Sequence, residues 1–316
     1  MKNPYDTDAV ESARELQVVK RDDMIQHARH SLDMTEQRIV LYAISKIKAE
    51  DKTLPEIEVN LKELYKVCGI ASESYTRIKK KIKSLADKSW WIKIKDKGKD
   101  EEVLMRWFSK VRISQSSGKV TLIFDPDMQP FLLNLVQQSR DGTYFTTYML
   151  KYVLPMQNKY SSRLYELLKS YQKNNIRWVF QYSELKYLLN CAGSYTKWSD
   201  FCRRVLNPSI EEICEYSDLQ IYYDTKEIKK DGIVARYVVF YMLKKSTPDL
   251  IETQAAIDEA LGGPIHERIQ FSQAENDFNA AFAANLKREK EYQKNLTESE
   301  EWYRDVIEQG KSKQKE

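Results

Sequence analysis

YSELKYLLNCAGSYTKWSDFCRRVL, residues 182–206, decides the fold once it is set beside LKELYKVCGIASESYTRIKKKIKSL, residues 61–85. Glu184-Leu185 in the first matches Glu63-Leu64 in the second, and Tyr195-Thr196 matches Tyr75-Thr76 after a one-residue gap. Each stretch reads as a short helix, a turn of small residues (Ala192-Gly193-Ser194 or Gly69-Ile70-Ala71), and a longer helix carrying basic side chains. That is a helix-turn-helix pattern, and it occurs twice.

The flanks repeat as well. A helix (35–48) and a strand (56–60) precede the first unit, and alternating apolar runs predict strands at 90–95, 104–114 and 119–125 after it. In the second unit the opening helix is NKYSSRLYELLKSYQK, 158–173, and the strand is 176–181. LQIYYD and ARYVVFYML then make a hairpin across TKEIKKDGIV. Helix, strand, helix, helix and hairpin is the order of a winged helix, the hairpin being the wing. In the opening helix Leu164, Leu167, Leu168 and Tyr171 form one face and Glu166, Lys169 and Ser170 the other, with Ser161 or Ser162 placed to cap its amides. This predicts a surface-docked amphipathic helix under the second helix-turn-helix. Residues 126–157 are too apolar for a flexible linker and read as an ordered connector, with Pro126 and Pro130 at a helix start, a turn at Asp141-Gly142 and a break at Pro155.

The fold class expected is therefore α+β: two tandem winged-helix domains and a C-terminal tail, helical or partly disordered. The division predicted is an N-terminal arm (1–30), a first winged-helix domain (31–140), a second winged-helix domain (141–246), and an acidic tail (247–316). In the tail Phe271, Phe278, Phe282 and Leu286 share a helical spacing.

Charge follows the same division. The 51 Lys/Arg and 47 Asp/Glu give a net charge of +4, but residues 247–316 hold nine basic and fifteen acidic residues, net −6, which leaves +10 on residues 1–246. A basic body suits a polyanion partner, because clustered Lys and Arg release counterions condensed on phosphates, although such charge also serves solubility. Cys68, Cys191, Cys202 and Cys214 show no metal-ligand or disulfide spacing and read as small core residues in a reducing compartment. No apolar run of about 18 residues occurs, so the expectation is a cytoplasmic protein with no membrane partner, no cofactor and no metal.

In the first domain Ile78, Ile82 and Leu85, with Tyr75, form a buried stripe that turns Thr76, Arg77, Lys80, Lys83 and Ser84 outward. In the second, a helix starting near Tyr195 has Trp198, Phe201, Cys202 and Val205 inward and Thr196, Ser199, Asp200, Arg203 and Asn207 outward, with Lys197 and Arg204 at the edges. Arg is shaped to meet guanine O6 and N7 in the major groove, which makes Arg203 the first candidate, while Ser, Thr and Lys serve phosphates. Asn207-Pro208 implies a kinked or restarted helix. Lys226, Lys229, Lys230 and Arg236 on the wing suit a phosphate backbone or plain solvation.

Three segments, SLDMTEQRIVLYAISKI (31–47), YSSRLYELLKSY (160–171) and YTKWSDFCRRVLNPSIEEI (195–213), make the chain similar to the replication initiator (Rep) proteins of iteron-containing plasmids. The resemblance spans roughly residues 18–243. It implies double-stranded DNA as partner, read as direct repeats at a plasmid origin, with the second domain (141–246) as the main DNA reader and the first (31–140) serving dimerisation and further DNA contact. It also implies a homodimer in equilibrium with monomer, initiation with host replication proteins by the monomer, and repression of its own gene by the dimer. A winged-helix transcriptional regulator without a replication role shares every contact named above. An enzyme is not expected: His27 and His30 lack the spacing of a nicking site, and no P-loop occurs.

Overall fold

The computed structural model describes residues 16–48, 51–67, 75–96, 99–114, 117–140, 144–172, 177–230 and 233–245. The chain divides at residue 247; residues 248–316, with the predicted Phe271–Leu286 helix, lie outside the described residues.

Helix α1 (Asp22–Gln26) links the short strands β1 (Gln17–Arg21) and β2 (Ala28–Arg29). Helix α2 (Met34–Ile44) opens on a capping box, Asp33 accepting from the Glu36 amide and Glu36 from the Asp33 amide. Strand β3 (Glu56–Asn60) runs without a gap into α3 (Leu61–Val67). Helix α4 (Tyr75–Ala86) buries Ile78, Ile82 and Leu85, the predicted stripe. Strands β4 (Ser89–Asp96) and β5 (Lys99–Arg106) form a hairpin in the sheet order β2-β4-β5. The run 104–114, read as one strand, is two, because the chain changes sheet at Trp107. That ring is buried against Trp90 at 5.2 Å, and β6 (Phe108–Ile113) leaves it to join β7 (Lys119–Phe124) and β3.

The connector is ordered, with helices α5 (Gln129–Leu132) and α6 (Leu135–Arg140). It also holds a strand the sequence did not suggest, β8 (Phe145–Met149), which pairs antiparallel with β1 from within residues 1–30. The Asp141-Gly142 turn lies outside the described residues.

The second half repeats the first in miniature. Helix α7 (Ser161–Tyr171) precedes β9 (Arg177–Gln181), which passes directly into α8 (Tyr182–Leu188), as β3 passes into α3. Helix α9 (Trp198–Phe201) continues through a π turn (Cys202–Leu206) into α10 (Asn207–Tyr216). The wing strands β10 (Leu219–Lys230) and β11 (Ile233–Lys244) are longer than predicted, and β9 pairs with β11 only from Tyr237 to Tyr241. Phe180, Phe201, Val205, Ile213, Ile221 and Phe240 fill the space between the sheet and the helices.

Helix α7 is not surface-docked. Its leucines are buried as expected, but so are Ser161, Ser162, Arg163, Glu166 and Ser170, because α1 and β8 cover the polar face while α10 covers another. Arg163 donates to the Ala28 carbonyl at 2.6 Å, Gln26 to the Ser170 hydroxyl at 3.2 Å, and Ser162 to Gln37 at 2.5 Å. Glu166, 4% exposed, pairs with the ammonium of Lys20 and accepts from the Tyr148 hydroxyl. Neither serine caps the helix; Asn158 Oδ1 accepts instead from the Tyr160 amide at 3.0 Å. One apolar cluster runs through both halves.

Candidate nucleic-acid interface

The second helix-turn-helix is set by its turn. Helix α8 stops at Asn190, whose φ of +52° lets the Asn190 and Cys191 amides return to the carbonyls of Tyr187 and Lys186 at 2.9 and 2.8 Å. This is a Schellman stop with asparagine in the left-handed position. Gly193, read as the turn residue, has an ordinary φ and open space where a Cβ would stand. Asn190 was a legible stop signal that the small-residue run obscured.

The second helix of this unit begins at Trp198, three residues later than predicted. Tyr195 instead sits ahead of it at φ +54°, half-buried, its carbonyl accepting from the Tyr182 hydroxyl at 3.1 Å and the Lys186 ammonium at 3.3 Å. A left-handed tyrosine is strained, and strain of this kind persists where surroundings over-determine it. Thr196, Lys197, Ser199, Arg203, Arg204 and Asn207 are all exposed, while Phe201 and Val205 are buried and Trp198 and Cys202 half-buried, so the predicted faces hold. Arg203, its side chain 70% exposed, bonds Asp200 at 2.8 Å one turn back. Asn207 accepts from the Tyr223 hydroxyl at 2.6 Å, which ties this face to the wing. At Asn207-Pro208 the helix neither breaks nor restarts: the π turn absorbs the proline.

Arg236 differs from its expectation. It lies toward the tip side of the wing, just beyond the part of β11 that pairs with β9, opposite Glu227 across the hairpin, and its guanidinium covers the Trp198 ring at 4.9 Å from the centroid. The Trp198 ring also meets Tyr182 edge-on at 5.1 Å. Arg236 thus fastens wing to helix, a role visible only once strand register is known. The side chains of Lys229 and Lys230 at the wing tip lie outside the described residues; Lys226 is half-buried.

In the first domain Thr76, Arg77, Lys80 and Lys83 are exposed on α4. Ser84 faces the other way, donating to Glu36 at 2.9 Å. Lys81 pairs with Asp33 and Lys88 with Glu36 at 2.5 Å, so the two carboxylates of the capping box also anchor α4. Burial raises the Asp33 carboxyl, but the bonds from Lys81 and the Glu36 amide outweigh it and hold the group below its ordinary range.

No group of His, Cys, Asp or Glu able to hold a metal occurs among the described residues, and no helix among them is long and apolar enough to cross a membrane. Burial raises the thiols of Cys191, Cys202 and Cys214, which keeps them protonated and unreactive. Half-buried among cations, His30 packs its ring edge-on against Trp107 at 5.5 Å. Burial first, then the charges of Arg163, Lys20 and Lys88, hold it well below the usual histidine value.

Two winged helices on one core, each presenting an exposed helix with cationic side chains, define the class of tandem winged-helix DNA-binding proteins. Within that class the chain belongs to the initiator Rep family: the model described as "Initiator Replication protein, WH1" matches residues 17–169, and "Initiator Rep protein, WH2" matches residues 182–239. The family is one of DNA-binding initiators and not of enzymes. A replication initiation protein of Escherichia coli is 26% identical over 137 residues, which are 42% of this chain and 40% of that protein. The match thus spans about two fifths of that relative's length. The solved Pi initiator protein in complex with iteron DNA shares the fold, with a TM-score of 0.56 at 20% identity, covering 73% of this chain and 99% of that one.

Proposed function

We propose that the protein binds direct repeats at a plasmid origin and starts replication there, acting on DNA in the cytoplasm. The observation that carries this is the exposed set Thr196, Lys197, Ser199, Arg203, Arg204 and Asn207 along one helix face, in a chain matching both winged helices of the initiator family. The second domain, residues 141–246, is the main reader, with Arg203 on a base and Lys197, Ser199 and Thr196 on phosphates. The first, residues 31–140, adds phosphate contacts through Arg77, Lys80 and Lys83. The Pi initiator, of the same fold, is solved on iteron DNA, which supports repeats as the target.

Self-association belongs to the first domain on this reading. Strand β5 is the edge of its sheet, and Leu104 on it stands opposite Trp91 with both side chains exposed, 52% and 40%. An open edge beside an apolar pair suits a second copy of the chain. The dimer represses the protein's own gene, and the monomer recruits host replication proteins.

The test is binding of the purified chain to DNA flanking its own gene, against a shuffled duplex, over a salt series. Tight repeat-dependent binding with a steep salt slope is expected. Equal weak binding to both duplexes rejects the reading, and binding to a lone palindrome without repeats makes it a transcriptional regulator.

A further inference from the structure

We propose that Asn158 is a positioning residue for DNA reading: its amide holds the helical turn from which Arg203 and Arg204 project. The inference rests on the assignment of residues 196–207 as the reading face. Pro208 has no N–H, so the Arg204 carbonyl four residues before it lacks the donor an α-helix would supply. The turn widens to π spacing, closed by the Asn207 amide on the Cys202 carbonyl. Asn158 supplies the missing donor from 46 residues away, its Nδ2 bonding the Arg204 carbonyl at 3.2 Å.

Asn158 is itself held on every side. Its backbone N–H donates to the two Glu212 carboxylate oxygens at 3.1 and 3.0 Å, and the neighbouring Gln157 N–H reaches Glu212 at 2.9 Å. The Asn158 Oδ1 is taken by the Tyr160 amide. First-domain helix α2 grips the same segment, Arg38 donating to the Met156 carbonyl at 2.7 Å and Gln37 to the Lys159 carbonyl at 3.3 Å. The Tyr160 hydroxyl meets that of Tyr195 at 3.2 Å. Residues 156–160 therefore touch the reading unit ahead of its first turn, at its π turn and, through Glu212, along α10. A carbonyl at an exposed helix face needs no protein donor, since water serves it. A donor fixed from a second element sets where that carbonyl points, and with it the two arginines beside it.

The experiment compares the full chain with N158D, P208A and the double variant on the flanking-repeat duplex and the shuffled duplex, over a salt series. Asn158→Asp keeps the acceptor for Tyr160 and removes the donor; the negative charge it adds beside Glu212 acts on both duplexes alike and cancels in the preference between them. N158D should lose about tenfold of the preference for the repeat duplex, the size of one misplaced base contact, with the salt slope unchanged because every phosphate keeps its cation. Pro208→Ala restores a backbone N–H for the Arg204 carbonyl, so N158D in that background should cost nothing further. Preference retained in N158D, a loss equal on both duplexes, or the same loss in the P208A background overturns the inference. Failure of the underlying reading is separate, because it appears in the unaltered chain as equal binding to both duplexes.

Discussion

Arg203 stands in solvent, paired among the described residues with Asp200, and an exposed pair of this kind contributes at most about 1 kcal/mol, so on the proposed reading DNA would take the guanidinium at little cost. Arg203→Ala should cost about 1–3 kcal/mol of binding to the repeat duplex and relax base choice at one position. A selection experiment on randomised repeats checks this; equal losses at every sequence would make Arg203 a phosphate contact. His30 is the opposite case, a titratable group with nothing to gain from its charge. Its folded pKa is depressed, so below about pH 6.5 the unfolded chain takes up a proton that the folded chain refuses. Stability should therefore fall with pH below that point, by at most about 1.4 kcal/mol per pH unit from this group. Urea unfolding at a series of pH values reads the slope, and His30→Asn should flatten it.

At the scale of elements, α7 packs against groups from both halves. Leu168 is fully buried, and Leu168→Ala should destabilise the unit by about 2–5 kcal/mol in denaturant unfolding. A neutral result would mean that the helix tolerates loss of its apolar face. The leucine stripe was legible because its period of 3.6 is a local property. The burial of Glu166 and Arg163 was not, because the groups covering them come from residues 17–29 and 145–149, and no pattern within α7 records a neighbour so distant. The same limit explains β8, whose pairing with β1 joins residues more than a hundred positions apart. It also explains Arg236, which reads as one more wing cation until register sets Glu227 opposite it. Repeated order was the strongest signal: strand running straight into a seven-residue helix recurs at 56–67 and 177–188, as the paired Glu-Leu motifs implied. Faces of the second reading helix were legible for the same local reason, and its start was not, since a left-handed tyrosine has no reliable signature.

For the whole molecule, the proposed contacts of the two exposed helices should add. Lys80→Ala with Lys83→Ala should lower the salt slope of binding by about one for each phosphate left without its lysine, with base preference intact. An unchanged slope would return that face of α4 to plain solvation. The single apolar cluster shared by the halves has a further consequence. Among the described residues α7 packs against elements of both halves, so on the proposed reading the two exposed helices meet DNA at a fixed helical phase. Inserting about five base pairs, half a turn, inside a repeat moves the two contact patches to opposite sides of the duplex. Binding should then fall to that of one patch alone, and tethering the halves through a long glycine-serine segment in place of their packed junction should remove the phase requirement while weakening the whole.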